Sequence, residues 1–219
     1  IGSPVGTVTF DDLAETDCYF YFGQNPGTNS PRFLHNLKDL KDRGGKIVTF
    51  NPVIEQGLVS FVDPQNPLAM MTGKETIISD QYHQLKSGGD VAAILGLCKV
   101  VVEADDAAQA AETHEVIDHD FIKQHTTGFD EFIACCRDAK WADIEQASGL
   151  TESALREAAQ VYIDADKTIG VYGMGFTQHT HGALNIAMMV NLLLLKGNIG
   201  RPGTGCCPVR GHSNVQGQR

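Results

Sequence analysis

The sequence predicts a three-layer α/β/α domain built on a mostly parallel sheet. Three observations carry that prediction. Short, near-continuously apolar runs at Cys18–Phe22, 47–50 and Thr168–Tyr172 have the composition of strands buried on both faces. Helical patterns stand between and after them. The succession strand, helix, strand, and later helix, strand, helix, requires crossovers that cover both faces of the sheet, a Rossmann-like arrangement.

The elements follow in order. After the first strand, Ser30 is placed to cap a helix and Pro31 to open it, with Phe33, Leu34, Leu37 and Leu40 on one stripe. The second strand, 47–50, leads into residues 55–74, where the period dissolves around Pro64 and Pro67 and an irregular surface loop is expected. Residues 81–85 form a weaker strand candidate. A helix is expected over 91–102, and the acidic run "EADDAAQAAETHE" beyond it reads as a solvated face. Another helix spans 151–165 with Leu155, Ala158, Ala159 and Tyr162 inward. After the third strand, residues 183–195 are apolar nearly all round and predict a buried helix. Neither a repeat nor a linker interrupts the chain, so 1–219 reads as one domain.

Composition narrows the function. Hydrophobic residues make up 42% and charged residues 20%, enough for a sizeable core. The net charge is −10, yet every Asp and Glu lies between Asp11 and Asp166. Residues 167–219 carry Lys167, Lys196, Arg201, Arg210 and Arg219 and no acid. Such a tail suits a compact anion and lacks the broad basic face that nucleic acid requires. The apolar stretch 186–195, broken by Asn191, falls short of the roughly 20 residues a bilayer span needs. The first residues show neither the basic start nor the apolar core of a secretory leader. Cys18, Cys98, Cys135, Cys136, Cys206 and Cys207 form no C-x-x-C site, iron–sulfur ligand set or disulfide framework. They read as idle thiols in a reducing compartment, and a cytoplasmic location is expected.

Chemistry gathers where the strands end. In sheets of this kind ligands bind beyond the carboxyl ends of the strands. The first strand runs into "GQNPGTNSPR" (23–32), the second ends in Asn51-Pro52, and the third runs into "GMGFTQHTHG" (173–182). Glycines there permit close backbone approach, and a helix start offers N–H groups to an anion. The first turn is not G-x-G-x-x-G, no acid follows the second strand, and G-x-x-x-x-G-K-[ST] does not occur, which disfavours a plain nicotinamide domain and a P-loop. These residues alone leave both a nucleotide-like ligand and a purely structural set of turns open.

Taken in order, "GQNPGTNSPR", "KSGGD", "YGMGFTQHTHG", "NLLLLKGNIGRPGTG" and "PVRGHSNVQG" resemble the molybdopterin oxidoreductase family, formate dehydrogenase alpha subunits and relatives of unsettled substrate in particular. The likeness runs from about Gly6 to the last residue. It implies a multidomain parent holding molybdenum or tungsten between two molybdopterin guanine dinucleotides (bis-MGD), with a 4Fe-4S cluster and the metal's protein ligand upstream of Ile1. Such a parent oxidises a small substrate such as formate by two electrons, or runs the reverse. Its partners would be the remaining domains of the parent chain and an electron-transfer subunit. This chain would be one α/β lobe, inactive alone.

Residue by residue, the resemblance implies that Gly23, Asn25 and Pro26 shape a loop against the dinucleotide. Asn51 and Pro52 would face its nucleoside end, where relatives often carry Asp. Asp90 would accept from guanine N–H groups, or else cap the helix from 91 onward. Gly173, Met174, Gly175, Thr177 and Gln178 would bring donors to phosphate or pterin. Gly211, His212, Asn214 and Gln216 belong to the terminal cofactor loop, and Arg210 would hold a small carboxylate on the substrate side of the metal. His212 stands where relatives acting on formate tend to show Gln, which weakens formate as the substrate. His179 and His181 are either pterin contacts or residues of a helix start, and Trp141 is packing. No residue of the chain is expected to ligate the metal. Two rivals remain at this level: a non-catalytic dinucleotide-binding lobe, and an unrelated Rossmann-like nucleotide-binding enzyme.

Overall fold

A computed structural model of the chain describes residues 6–63 and 67–209. The first part runs α1 (Asp12–Glu15), β1 (Cys18–Phe22), α2 (Pro26–Asn29), α3 (Phe33–Asp42), β2 (Lys46–Phe50), α4 (Gln56–Val59), β3 (Ser60–Val62), α5 (Pro67–Thr72), β4 (Glu75–Ile77) and β5 (Gln81–His83). The second runs α6 (Asp90–Ala110), α7 (His119–His125), α8 (Phe129–Asp138), α9 (Trp141–Ser148), α10 (Glu152–Asp164), β6 (Thr168–Tyr172), α11 (Met174–Thr177), α12 (Gly182–Leu195) and β7 (Gly205–Pro208).

Five strands form a parallel sheet in the order β5-β2-β1-β6-β7. Alternation along the strands sends side chains to two separate cores. Phe20, Phe22, Val48 and Phe50 pack with Ile94, Leu97 and Val101 of α6, Leu155 and Tyr162 of α10, and Met189 and Leu193 of α12. Tyr19, Tyr21, Ile47, Ile169 and Val171 face Leu37 and Leu40 of α3 and Leu58 of α4. The three-layer α/β/α expectation therefore holds. Gly170 lets α12 sit directly on β6, since a Cβ there would lie 2.8 Å from the Met189 sulfur.

Several local expectations need correction. Within the expected loop, the described residues 55–63 and 67–74 are not irregular: they form α4, β3 and α5, and β3 pairs antiparallel with β4 just beyond. Leu58 is fully buried and anchors this excursion. Ser30 does not cap α3; it ends α2, and its carbonyl accepts the Phe33 N–H at 2.8 Å, with Arg32 at the N-cap. The acidic run after 102 is not simply solvated. α6 continues through it, and Asp105, 2% exposed, accepts from Val116 N and Ile117 N at 2.9 Å each and from His119 Nε2 at 2.8 Å. A carboxylate facing away from solvent is what ties the returning chain to the helix.

The helix at 182–195 is not buried all round. Ala183, Leu184 and Ala187 are exposed while Asn185, Met188, Met189, Leu192 and Leu193 point inward. The sequence pattern assigns nothing to 119–148, where three helices stand, nor to β7, where Gly205 adopts φ 135°. The helix expected at 151–165 is present as α10, with Thr151 at its N-cap, the hydroxyl accepting from Ala154 N. Trp141 packs under the Arg156 guanidinium at 5.0 Å. No described helix is long and apolar enough to cross a membrane.

Candidate cofactor cleft

β1 is paired with β2 on one side and β6 on the other, so the chain's direction of travel across the sheet reverses beside β1. The carboxyl ends align in register, with Phe22 opposite both Phe50 and Tyr172, and Tyr172 opposite Pro208. Such a reversal opens a crevice between the outgoing loops. Here two glycine turns interlock across it. Gly173 N donates to Phe22 O at 3.1 Å, Gly175 N to Gly23 O at 3.2 Å, and Gly23 N to Phe50 O at 3.3 Å. Gly23 has φ 55°, and a Cβ on it would lie 2.5 Å from Phe176 N.

Beside these turns lies a cavity of about 450 Å³. Gly23, Asn51, Pro52, Asp90, Gly175 and Gln178 line it, joined by Ser87, Gly88, His179, Thr180 and His181. Six of the expected cofactor residues thus share one wall system, although 155 positions of sequence order from Gly23 to Gln178 are involved, about the length of a small domain.

Other expected residues support the site from behind. Asn25 caps α2, its Oδ1 accepting from Thr28 N at 3.2 Å, and Pro26 occupies the first helical position; neither lines the cavity. Gly173 packs on Gln24, whose Cβ and Cγ would each meet an added Cβ at 2.8 Å. Met174 is 38% exposed, and neither it nor Thr177 lines the cavity. Arg210, Gly211, His212, Asn214 and Gln216 lie outside the described residues. The described chain ends with Val209 N donating to Tyr172 O at 2.8 Å, at the carboxyl end of β6.

Asn51 and Asp90 both line the cavity and behave differently. Asn51 Nδ2 donates to Val53 O at 2.6 Å and to Glu55 Oε2 at 3.1 Å, so its amide holds the turn after β2. Tyr82 Oη, a residue the sequence does not single out, donates to Val53 O at 2.7 Å and braces the same turn. Asp90 is 6% exposed and begins the 21-residue α6. It is not the cap: Gly89 holds that position. Burial pushes the Asp90 carboxyl above the usual carboxylate range, while its own backbone N–H and the nearby His179 pull the other way. Asp90 Oδ2 stands 3.7 Å from His179 Nε2.

Two buried amides are incompletely paired. Both polar atoms of the Gln24 side chain, beneath the interlocked turns, have no hydrogen-bond partner, and neither has Asn185 Oδ1 on α12. A larger hollow of about 710 Å³ lies by the amino end of β6, but its cations are engaged. Lys196 Nζ donates to the carbonyls of Tyr162, Ile163 and Ala165, and Arg201 pairs with Asp166. Burial pushes the Cys206 thiol up to about 11 and the Cys207 and Cys136 thiols up to about 12. Among the described residues no group of three or more His, Cys, Asp or Glu converges as a metal site.

The family model for molybdopterin oxidoreductases matches residues 2–218. The chain belongs to the molybdopterin oxidoreductase family. That removes the unrelated nucleotide-binding enzyme from the alternatives. Protein YdeP of Escherichia coli is 48% identical over all 219 residues, which span 29% of that protein. Oxidoreductase Rv2900c of Mycobacterium tuberculosis is 38% identical over the full chain and 28% of its own length. The F420-dependent formate dehydrogenase subunit alpha of Methanocaldococcus jannaschii is 30% identical over 216 residues, 99% of this chain and 28% of that one. This molybdopterin oxidoreductase domain therefore spans less than a third of the curated relatives it matches, and further domains accompany it in them. The solved acetylene hydratase from Pelobacter acetylenicus superposes with a TM-score of 0.68 at 17% identity, over 91% of this chain and 24% of that chain, which supports the fold.

Proposed function

We propose that this domain grips one molybdopterin guanine dinucleotide of a bis-MGD oxidoreductase carrying molybdenum or tungsten, within a parent resembling formate dehydrogenase. The observation that carries the reading is the single cleft lined by Gly23, Gly175, Asn51 and Asp90. Its chemistry fits the group. At one end the cavity is lined by the backbone of Gly23 and Gly175, two turns packed on each other with no side chain to stand between them and a diphosphate. At the other, the buried Asp90 carboxylate, which accepts from its own backbone N–H, lines the cavity and suits a base that presents N–H groups. The orphaned amide of Gln24 marks a further polar contact next to the turns.

Each group then has a separable task. Gly23 and Gly175 keep the floor thin, Gln178 offers a side-chain amide, and Asn51 shapes the nucleoside wall through the turn it holds. Arg210 would orient a small anionic substrate such as formate with its planar fork. The bound cofactor would supply two-electron redox chemistry at its metal. A 4Fe-4S cluster in the remaining domains, and an electron-transfer subunit beyond it, would carry the electrons away.

The test is made on the full-length parent. Metal analysis should find molybdenum or tungsten, acid treatment should release GMP, and reduced dye should accumulate with formate or another small substrate. Metal and GMP without turnover on any small substrate would favour a non-catalytic lobe. Neither metal nor GMP would end the proposal.

A further inference from the structure

Between β2 and β5 the chain leaves the main sheet and returns, and this excursion is fastened at its root. Leu58 is fully buried and Ile78 is 1% exposed. Ile78 N donates to Val59 O at 2.8 Å, and Ser79 Oγ donates to Leu58 O at 2.6 Å. Gln56 Nε2 donates to Ser60 Oγ at 2.9 Å, and that hydroxyl donates to Glu75 Oε2 at 2.7 Å. The tip is the reverse. Pro67, Leu68, Met70, Met71 and Thr72 of α5 are all exposed, as is Ile77 of β4. Met71 is 86% and Ile77 64% exposed.

Water alone gives such a tip little support. A helix of six residues is far below the length that is stable by itself. A two-stranded sheet needs a further strand or a packed face. Apolar side chains held outward on a fixed platform mark a contact surface, and methionine adapts to the shape it meets. Charge argues against a lipid surface. Lys74 is the one charge in 64–74, and Glu75 and Asp80 follow it, whereas helices that lie on membranes carry several cations. Chain length argues for a domain of the same polypeptide. These 219 residues span 28–29% of the relatives, so most of each relative lies outside this lobe. A tethered domain meets the tip at an effective concentration in the millimolar range, ahead of any untethered molecule.

We propose that the tip formed by α5 and β4 docks this lobe onto another domain of the parent chain, with Met70, Met71 and Ile77 entering an apolar surface there. Lys74, exposed beside α5, fits a carboxylate at the rim of that surface. The contact does not depend on what the cleft holds, so its test and the cofactor test fail separately.

The experiment uses the full-length parent. A benzophenone side chain is installed in place of Met71 and irradiated, and the products are mapped by mass spectrometry. The expected product is an intrachain cross-link to a peptide outside residues 1–219. In the unsubstituted parent, the amides of residues 71 and 72 should exchange at least about tenfold more slowly than in a peptide of the same sequence, because an uncovered α5 would give almost no protection. Met71→Asp should remove that protection, since it would bury a charge, and Met71→Leu should keep it. Cross-links between two chains would overturn the proposal in favour of a second copy. Lipid adducts in the presence of phosphatidylglycerol vesicles would overturn it in favour of a membrane. Cross-links confined to 1–219, or unprotected exchange at 71 and 72, would overturn it by showing that no other domain covers the tip.

Discussion

Gly175 donates its amide to the carbonyl of Gly23 at 3.2 Å, joining the loop after β6 to the loop after β1. Each turn is the other's packing surface, so the glycines serve the protein before they serve any ligand. A Cβ on Gly175 would sit 2.9 Å from Gly23 O.

Gly175→Val should therefore destabilise the full-length enzyme by about 1–3 kcal/mol, the usual cost of overpacking a tight contact. Cofactor content should fall with it. Urea unfolding checks the first effect and acid-released GMP the second. Gly23→Ala adds a backbone penalty, because φ 55° is a conformation that residues with a Cβ rarely adopt.

Asp90 couples binding to pH. Its folded-state carboxyl lies above its ordinary value of 3.8 because burial disfavours the charge. The folded state then holds a proton that the unfolded chain releases. Stability contributed by Asp90 is complete below 3.8 and is lost as pH rises through the folded-state value. Asp90→Asn should raise the unfolding temperature of the cofactor-free enzyme at pH 7, with the gain shrinking toward pH 4, and should weaken GDP binding. A variant less stable than wild type at pH 7 would show that the carboxylate is satisfied in the fold.

Asp105 is a structural counterpart. Removing its carboxylate leaves the Val116 and Ile117 N–H groups without their acceptor. Asp105→Ala should cost about 2–4 kcal/mol by chemical denaturation, from two orphaned amides and the lost His119 contact. Hydrogen exchange should accelerate at 116–119.

Arg210→Ala in the parent should lower turnover on the order of 100-fold while leaving metal and GMP content nearly unchanged, as expected when a preorganised charge beside the reacting group is removed. Parallel loss of cofactor would make Arg210 a binding residue instead.

The strands β1, β2 and β6 were legible because a strand buried on both faces leaves an unbroken apolar run. β7 was not, since Gly205 and Pro208 carry loop chemistry into a strand held by pairing with β6. The end of α6 was misread for a different reason. Composition counts Asp105 among solvated acids, and only the return of the chain at 116–119 buries it. In the cleft, the glycine turns and "KSGGD" announced themselves by type and spacing. Which side chains of those stretches line the cleft, such as Ser87 and Thr180, was not legible, because loop side chains carry no period. One signal was available: Asn185 is a lone amide among "GALNIAMM", and a polar residue kept inside an apolar helix usually has a partner to hold, here His179 of the cleft.

The interlock of Gly23 with Gly175 also sets an order of events. The two residues are about 150 positions apart, so their meeting waits on closure of a very large chain loop, a slow and late step in folding. A ribosome-bound chain that has not yet emitted β6 has no mouth to offer. On the proposed reading of the cleft, cofactor delivery to this lobe would follow the synthesis of β6.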